Sequence, residues 1–154
     1  MLDPHLSILN PETPMPILEW SKDFELEVPV MDETHREFVD MLNAVADASD
    51  ADLPARLDDF IAHTDAHFAQ ENAWMVDIMF PPIHCHKGEH DNVLALMREV
   101  RGRVAAGQLE LGRVLARELP EWFRLHANTM DAALAQVIKA IGYQPERQDT
   151  ATAA

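Results

Sequence analysis

A chain of 154 residues with 47% hydrophobic residues suits one domain with a single packed core and is too apolar to be disordered. Five glycines in the whole chain, and long periodic stretches without strand-like alternation, point to an all-α fold. A net charge of −15, from 27 acidic against 12 basic residues, repels phosphate backbones and anionic lipid, so neither nucleic acid nor a membrane is an expected partner.

In chain order, residues 1–30 read as an extended N-terminal arm, punctuated by Pro4, Pro11, Pro14, Pro16 and Pro29. Met1 to Trp20 has no basic segment followed by a long apolar run, so no signal peptide or membrane span is expected. The lone cysteine, Cys85, cannot form an internal disulfide, which makes a reducing cytoplasm the expected compartment. Trp20, Phe24, Leu26 and Val28 alternate with polar residues, so the arm is expected to lie across the domain and bury Trp20. A first helix is predicted from an N-cap at Asp32, with His35, Phe38, Val39, Leu42, Val45 and Ala46 on one face.

A second helix is predicted from about Pro54 to Pro81, with an inward stripe of Leu57, Phe60, Thr64, His67, Phe68, Glu71 and Trp74 or Met75. The third carries His86, His90, Val93, Leu94, Met97 and Val104 and is expected to stop near Gly107. The fourth carries Leu115, Leu119, Trp122, His126, Thr129, Ala133 and Val137 and is expected to stop near Gly142. Pro120 conflicts with that pattern, so a kink or break is expected there. Short loops between the helices predict an up-down-up-down four-helix bundle over 31–142, followed by a polar, frayed tail over 143–154.

All four helices place metal-competent residues on apolar faces: His35; His67 with Glu71; His86 with His90; and His126 with Asp131. Spacings of four put each of the middle pairs on one side of a helix. The spacing of five from His126 to Asp131 turns about 140° on an ideal α-helix, so these two are expected to reach a wide site from opposite flanks. A single such histidine is more often an ordinary core residue. Five imidazoles and two carboxylates buried together without metal would be costly, whereas metal ions would neutralise the carboxylates and occupy the imidazole lone pairs. Seven donors exceed one tetrahedral ion and suit two ions sharing carboxylates. Nitrogen and oxygen donors without thiolate leave iron, manganese and zinc open.

The run His35, His67-Phe68-Ala69-Gln70-Glu71, His86-Lys87-Gly88-Glu89-His90 and His126 to Asp131, with Trp20, Val30 to Thr34 and Trp122, resembles the hemerythrin family and, within it, the bacteriohemerythrins. The likeness spans roughly residues 18–140. It implies two iron ions, oxo- or hydroxo-bridged. His86, His90 and His126 would serve one iron, and His35 and His67 the other, which keeps an open position for O2. Glu71 and Asp131 would bridge them, and Phe68, Trp122 and Phe123 would line a dry pocket.

The chain departs from the family pattern at His63, Asn72, Phe123 and Ala127. His63 is expected to face solvent or to hydrogen-bond a ligand, and His5, His84 and Cys85 are expected to be bystanders. The implied function is reversible O2 binding as a carrier, store or local-delivery protein, not an enzyme. An oxygen-requiring enzyme or a reductase is the implied partner. Most donors being neutral imidazoles favours release of O2 over its activation. A di-iron oxidase or peroxidase, a nitric-oxide-handling enzyme and an O2 or redox sensor are the alternatives.

Overall fold

The computed structural model describes residues 15–148. His5, Pro4, Pro11 and Pro14 of the arm, and residues 149–154 of the expected tail, lie outside them. The described residues form helices α1 (Pro29–Asp47), α2 (Leu53–Asp77), α3 (Ile83–Ala105), α4 (Leu109–His126) and α5 (Ala132–Ile141). A five-residue π-helical stretch, Ala127–Asp131, joins α4 directly to α5, so these two make the fourth rod of a four-helix bundle. No helix among the described residues is long and apolar enough to cross a membrane.

Helix α1 starts earlier than expected. Pro29 occupies its first turn, where a missing N–H costs nothing. Asp32 is therefore not the cap. It lies inside the helix and reaches back, accepting hydrogen bonds from Leu26 N (2.9 Å) and Glu27 N (3.2 Å). These contacts hold the entry turn, in which Glu27 has a left-handed φ of 60°. The stops are placed as expected: Gly107 and Gly142 take positive φ just after their helices, and Tyr143 N donates to Ile138 O across the latter.

The expected break at Pro120 does not occur. Helix α4 runs unbroken from Leu109 to His126 with Pro120 inside it. Proline removes one backbone hydrogen bond, but Ala116, Leu119, Pro120 and Phe123 are all buried there, and that packing holds the turn together.

The apolar interior falls into two clusters. The larger contains Phe38, Leu42, Leu57, Phe60, Phe68, Met97, Leu115, Leu119 and Phe123. The smaller contains Met31, Trp74, Met75, Phe80, Leu134 and Ile138. On each helix of the bundle the metal-competent residues lie between positions assigned to the two clusters, so a polar layer is sandwiched by apolar ones.

The arm and the C-terminal segment pack on the outside of this arrangement. Asn43 of α1 pins the arm, accepting from Ile17 N (2.9 Å) and Leu18 N (3.2 Å) and donating to Leu18 O (2.8 Å). The arm buries Leu18 and Phe24, not Trp20, which stays half-buried with the Arg36 guanidinium over its ring at 5.1 Å. A guanidinium over the indole face is attracted by the ring electrons and covers its apolar body at the rim.

Residues 144–148, expected to fray, lie against α1 and α2. Trp74 Nε1 donates to Glu146 O (3.0 Å), Gln148 N to Gln70 Oε1 (2.9 Å), and Arg147 to Glu33 (2.8 Å) and Glu37 (2.7 Å). Deleting residues 144–154 should lower the unfolding free energy by about 1–3 kcal/mol, because a buried indole N–H loses its acceptor. Urea denaturation would show this as a lower midpoint. An unchanged midpoint would mean the segment contributes nothing to stability.

Candidate metal centre

The seven residues named from the sequence come together. His35, His67, Glu71, His86, His90, His126 and Asp131 are all buried, none more than 4% exposed. Their donor atoms form two groups: His35, His67 and Glu71, and Glu71, His86, His90, His126 and Asp131. All five imidazoles turn Nε2 inward.

Each carboxylate addresses both groups with different oxygens. Glu71 Oε2 lies 2.9 Å from His67 Nε2 and 3.2 Å from His35 Nε2, while Oε1 lies 3.3 Å from His90 and 3.5 Å from His86. Asp131 Oδ2 lies 3.1 Å from His35, while Oδ1 lies 3.0 Å from His86 and 3.1 Å from His126.

Many of these close approaches are not hydrogen bonds. Glu71 Oε1, both oxygens of Asp131 and His86 Nε2 are buried without a hydrogen-bond partner among the described residues. His90 Nε2 and His126 Nε2 stand 3.3 Å apart, although two inward lone pairs would repel. Donors about 2.1 Å from a shared ion and at right angles to one another would be separated by about 3 Å. The residues present therefore fit metal ions, and the donor set contains no sulfur.

The electrostatics agree. Burial pushes the Glu71 and Asp131 carboxyls up, yet the facing imidazoles win and hold both well below the usual carboxylate range. Burial also opposes charge on His35, but Asp131 and Glu71 outweigh it and raise its pKa to about 10. The same contest raises His86 to about 9 and moves His126 upward. Burial lowers His67. In the metal-free chain, protons on imidazoles thus supply the positive charge that the buried carboxylates demand.

The π-helical stretch corrects the reading of His126 and Asp131. They do not approach from opposite flanks of an α-helix. Ala132 N–H bonds to Ala127 O, five residues back, and one wide turn carries Asp131 round to the side of His126. Thr129 helps locally, its hydroxyl donating to Leu125 O at 2.6 Å. The extra residue also shifts the phase beyond it. Thr129 and Ala133, expected inward, are exposed, and Leu134, Ala135 and Ile138 are buried instead.

The expected pocket residues divide. Phe123 sits edge-on to His35 (5.6 Å between centroids) and stacks on Phe38 (4.9 Å). Phe24 of the arm packs against Phe123 at 5.3 Å. Phe68 instead stacks on His90 (4.0 Å) and Trp122 on His126 (4.7 Å). Sequence reasoning missed Phe24 and Phe38 as neighbours of this half. It also gave no role to Asn72 and Glu89, which receive hydrogen bonds from His90 Nδ1 and His126 Nδ1, each at 3.0 Å. Their adjacency to Glu71 and His90 was the available signal. His63 is half-buried and meets Glu37 Oε2 at 3.2 Å, not a ligand candidate.

Residues 26–138 match the hemerythrin HHE cation binding domain family. A bacteriohemerythrin of Ralstonia nicotianae is 51% identical over 139 residues, covering 90% of this chain and all of that protein. A hemerythrin chain of Sipunculus nudus is 26% identical over 120 residues, covering 77% of this chain and 92% of that one. A solved hemerythrin point mutant shares the fold with a TM-score of 0.74 at 23% identity, over 79% of this chain and 97% of its own.

Metal that binds only the folded site stabilises the fold by mass action, by about 4 kcal/mol at a thousandfold excess over Kd. Stripping divalent metal with a chelator is therefore expected to lower Tm by roughly 10 °C for a domain of this size. Calorimetry on loaded and stripped protein checks this. Equal melting temperatures would argue against a metal bound by this cluster.

Proposed function

This chain belongs to the hemerythrin family, and from that premise we propose that it binds O2 reversibly at a non-haem di-iron centre, as a carrier, store or local-delivery protein and not an enzyme. The observation that carries the reading is the pair of carboxylates, Glu71 and Asp131, each turning one oxygen to the His35–His67 side and the other to the His86–His90–His126 side. In this reading Glu71 and Asp131 would serve both irons, His35 and His67 would hold the iron that takes up O2, and His86, His90 and His126 would hold its neighbour. When bound, the iron pair supplies the electrons that hold O2 and recovers them on release.

The protein's own part is to keep that exchange reversible. Five neutral imidazoles against two carboxylates limit the anionic charge that would favour deeper oxidation. Phe123, Phe38 and Phe24 wall the His35 side with aromatic rings and exclude water, and with it the protons that would drive irreversible conversion to the ferric form. We place this activity in the cytoplasm, where the lone Cys85 would stay reduced, with an oxygen-requiring enzyme or a reductase as the proposed partner.

Metal analysis of protein from iron-replete cells should return about two irons per chain, and the reduced protein should gain a visible band in air and lose it under argon. Immediate, irreversible conversion to the ferric form would overturn the carrier reading and favour an oxidase, a peroxidase or a sensor.

Phe123 offers a second test. Its ring is 1% exposed, so Phe123→Ala should lose about 3–5 kcal/mol of stability and oxidise faster in air as solvent enters. Phe123→Leu should do both to a smaller extent. Stopped-flow absorption after mixing with air measures the rate. An unchanged rate in the Ala variant would remove Phe123 from the water-excluding wall.

A further inference from the structure

With every Nε2 turned inward, the five imidazoles present Nδ1 to the surrounding protein, and the five outward nitrogens meet different surroundings. His126 Nδ1 donates to Glu89 Oε1 and His90 Nδ1 to Asn72 Oδ1. The Nδ1 atoms of His35, His67 and His86 are buried with no hydrogen-bond partner among the described residues. Among the described residues both outer acceptors therefore fall in the three-histidine group, and of the two the carboxylate is on His126. Stacking completes the restraint: Trp122 lies over His126 with 18° between planes, and Phe68 over His90 with 5°.

An acceptor at Nδ1 fixes the tautomer. The proton stays on Nδ1, the Nε2 lone pair is free to bind metal, and the ring cannot rotate away. A carboxylate acceptor also polarises the imidazole and makes Nε2 a stronger donor. Neither His35 nor His67 has such help, and the search for the right tautomer adds to the cost of metal binding there.

We propose that Glu89 is a positioning residue that, acting through His126 and alongside Asn72 on His90, makes the three-histidine position the tighter of the two, so that the centre loads in order with that position first. The inference rests on the two-metal reading above. Glu89 reaches His126 from α3, one residue before His90, so the α3–α4 contact that builds the centre also tunes it. Its side chain is 32% exposed, which leaves it replaceable without opening a core cavity.

The test is a titration of the metal-stripped full chain with zinc(II) against a chromophoric chelator, for the native protein, Glu89→Gln and Glu89→Ala. Two equivalents of unequal affinity are expected for the native chain. Glu89→Ala should weaken the tighter one by about 10-fold or more, Glu89→Gln by less, and the weaker equivalent should stay unchanged. In zinc-loaded protein labelled with 15N-histidine, the slowly exchanging Nδ1–H resonance of His126 should be lost in Glu89→Ala. Glu89→Gln keeps an amide oxygen for His126 Nδ1–H, so its metal-free melting temperature should match the native value, whereas Glu89→Ala strands that buried donor and should melt lower.

Equal weakening of both equivalents, or no weakening of either, would overturn the proposal while leaving two metals in place. Uptake of a single equivalent by the native chain would remove the two-metal reading itself, and the inference with it.

Discussion

Two carboxylates and five imidazoles share one buried layer, and the rest of the structure answers to that fact. An isolated carboxylate in an apolar interior carries a penalty of several kcal/mol even after relaxation, so Glu71 and Asp131 can be buried only with positive charge close by. Protons on His35 and His86 can supply it in the metal-free chain. Metal ions supply it better, because one ion accepts several inward lone pairs at once whereas a proton takes only one. The layer is thus unfavourable as an apolar core and favourable as a coordination site. That contrast couples metal content to folding.

The apolar clusters above and below make the layer rigid. Phe68 belongs to the larger cluster and stacks on His90, and Trp122 packs against that cluster and stacks on His126. The rings that fill the core are also the rings that orient the imidazoles. The π-helical stretch serves the same end from the backbone. A regular helix through 127–131 would place Asp131 well away from His126 around the axis. One wide turn brings it back and resets the phase, so that Leu134 and Ile138 face the second cluster. Wide turns of this kind are rare in helices and recur at functional sites.

The segments flanking the bundle extend this logic to its outer face. The arm contributes Phe24, which packs behind Phe123 on the His35 side. The C-terminal segment crosses α2 and ties it to α1 through Arg147, Glu33 and Glu37. Exposed ion pairs of this kind add little stability individually. They stand beside the two-histidine half, where an open cavity lined by Thr34, His63, His67, Gln70, Arg147 and Gln148 lies between the C-terminal segment and the bundle.

Much of this was legible in the sequence. Helical periodicity placed four helices, and spacings of four aligned His67 with Glu71 and His86 with His90. Those features are local: they depend on the 3.6-residue repeat and on burial preference, both carried by the residues themselves. Local rules failed where a tertiary contact outweighed them. Pro120 stays within a continuous helix because its neighbours are buried, and Asp32 reaches back to the entry turn instead of capping. Trp20 stays half-buried under Arg36, and residues 144–148 dock because Trp74 and Gln70 offer them partners. The His126 to Asp131 spacing signalled an irregularity, but whether the chain widens its turn or the side chains reach round depends on what the other three helices present. Which oxygen of each carboxylate faces which histidines, and which imidazoles find an outer acceptor, was likewise decided only when the helices packed. Those relations join residues distant in sequence, and no repeat along one helix encodes the distance across to another.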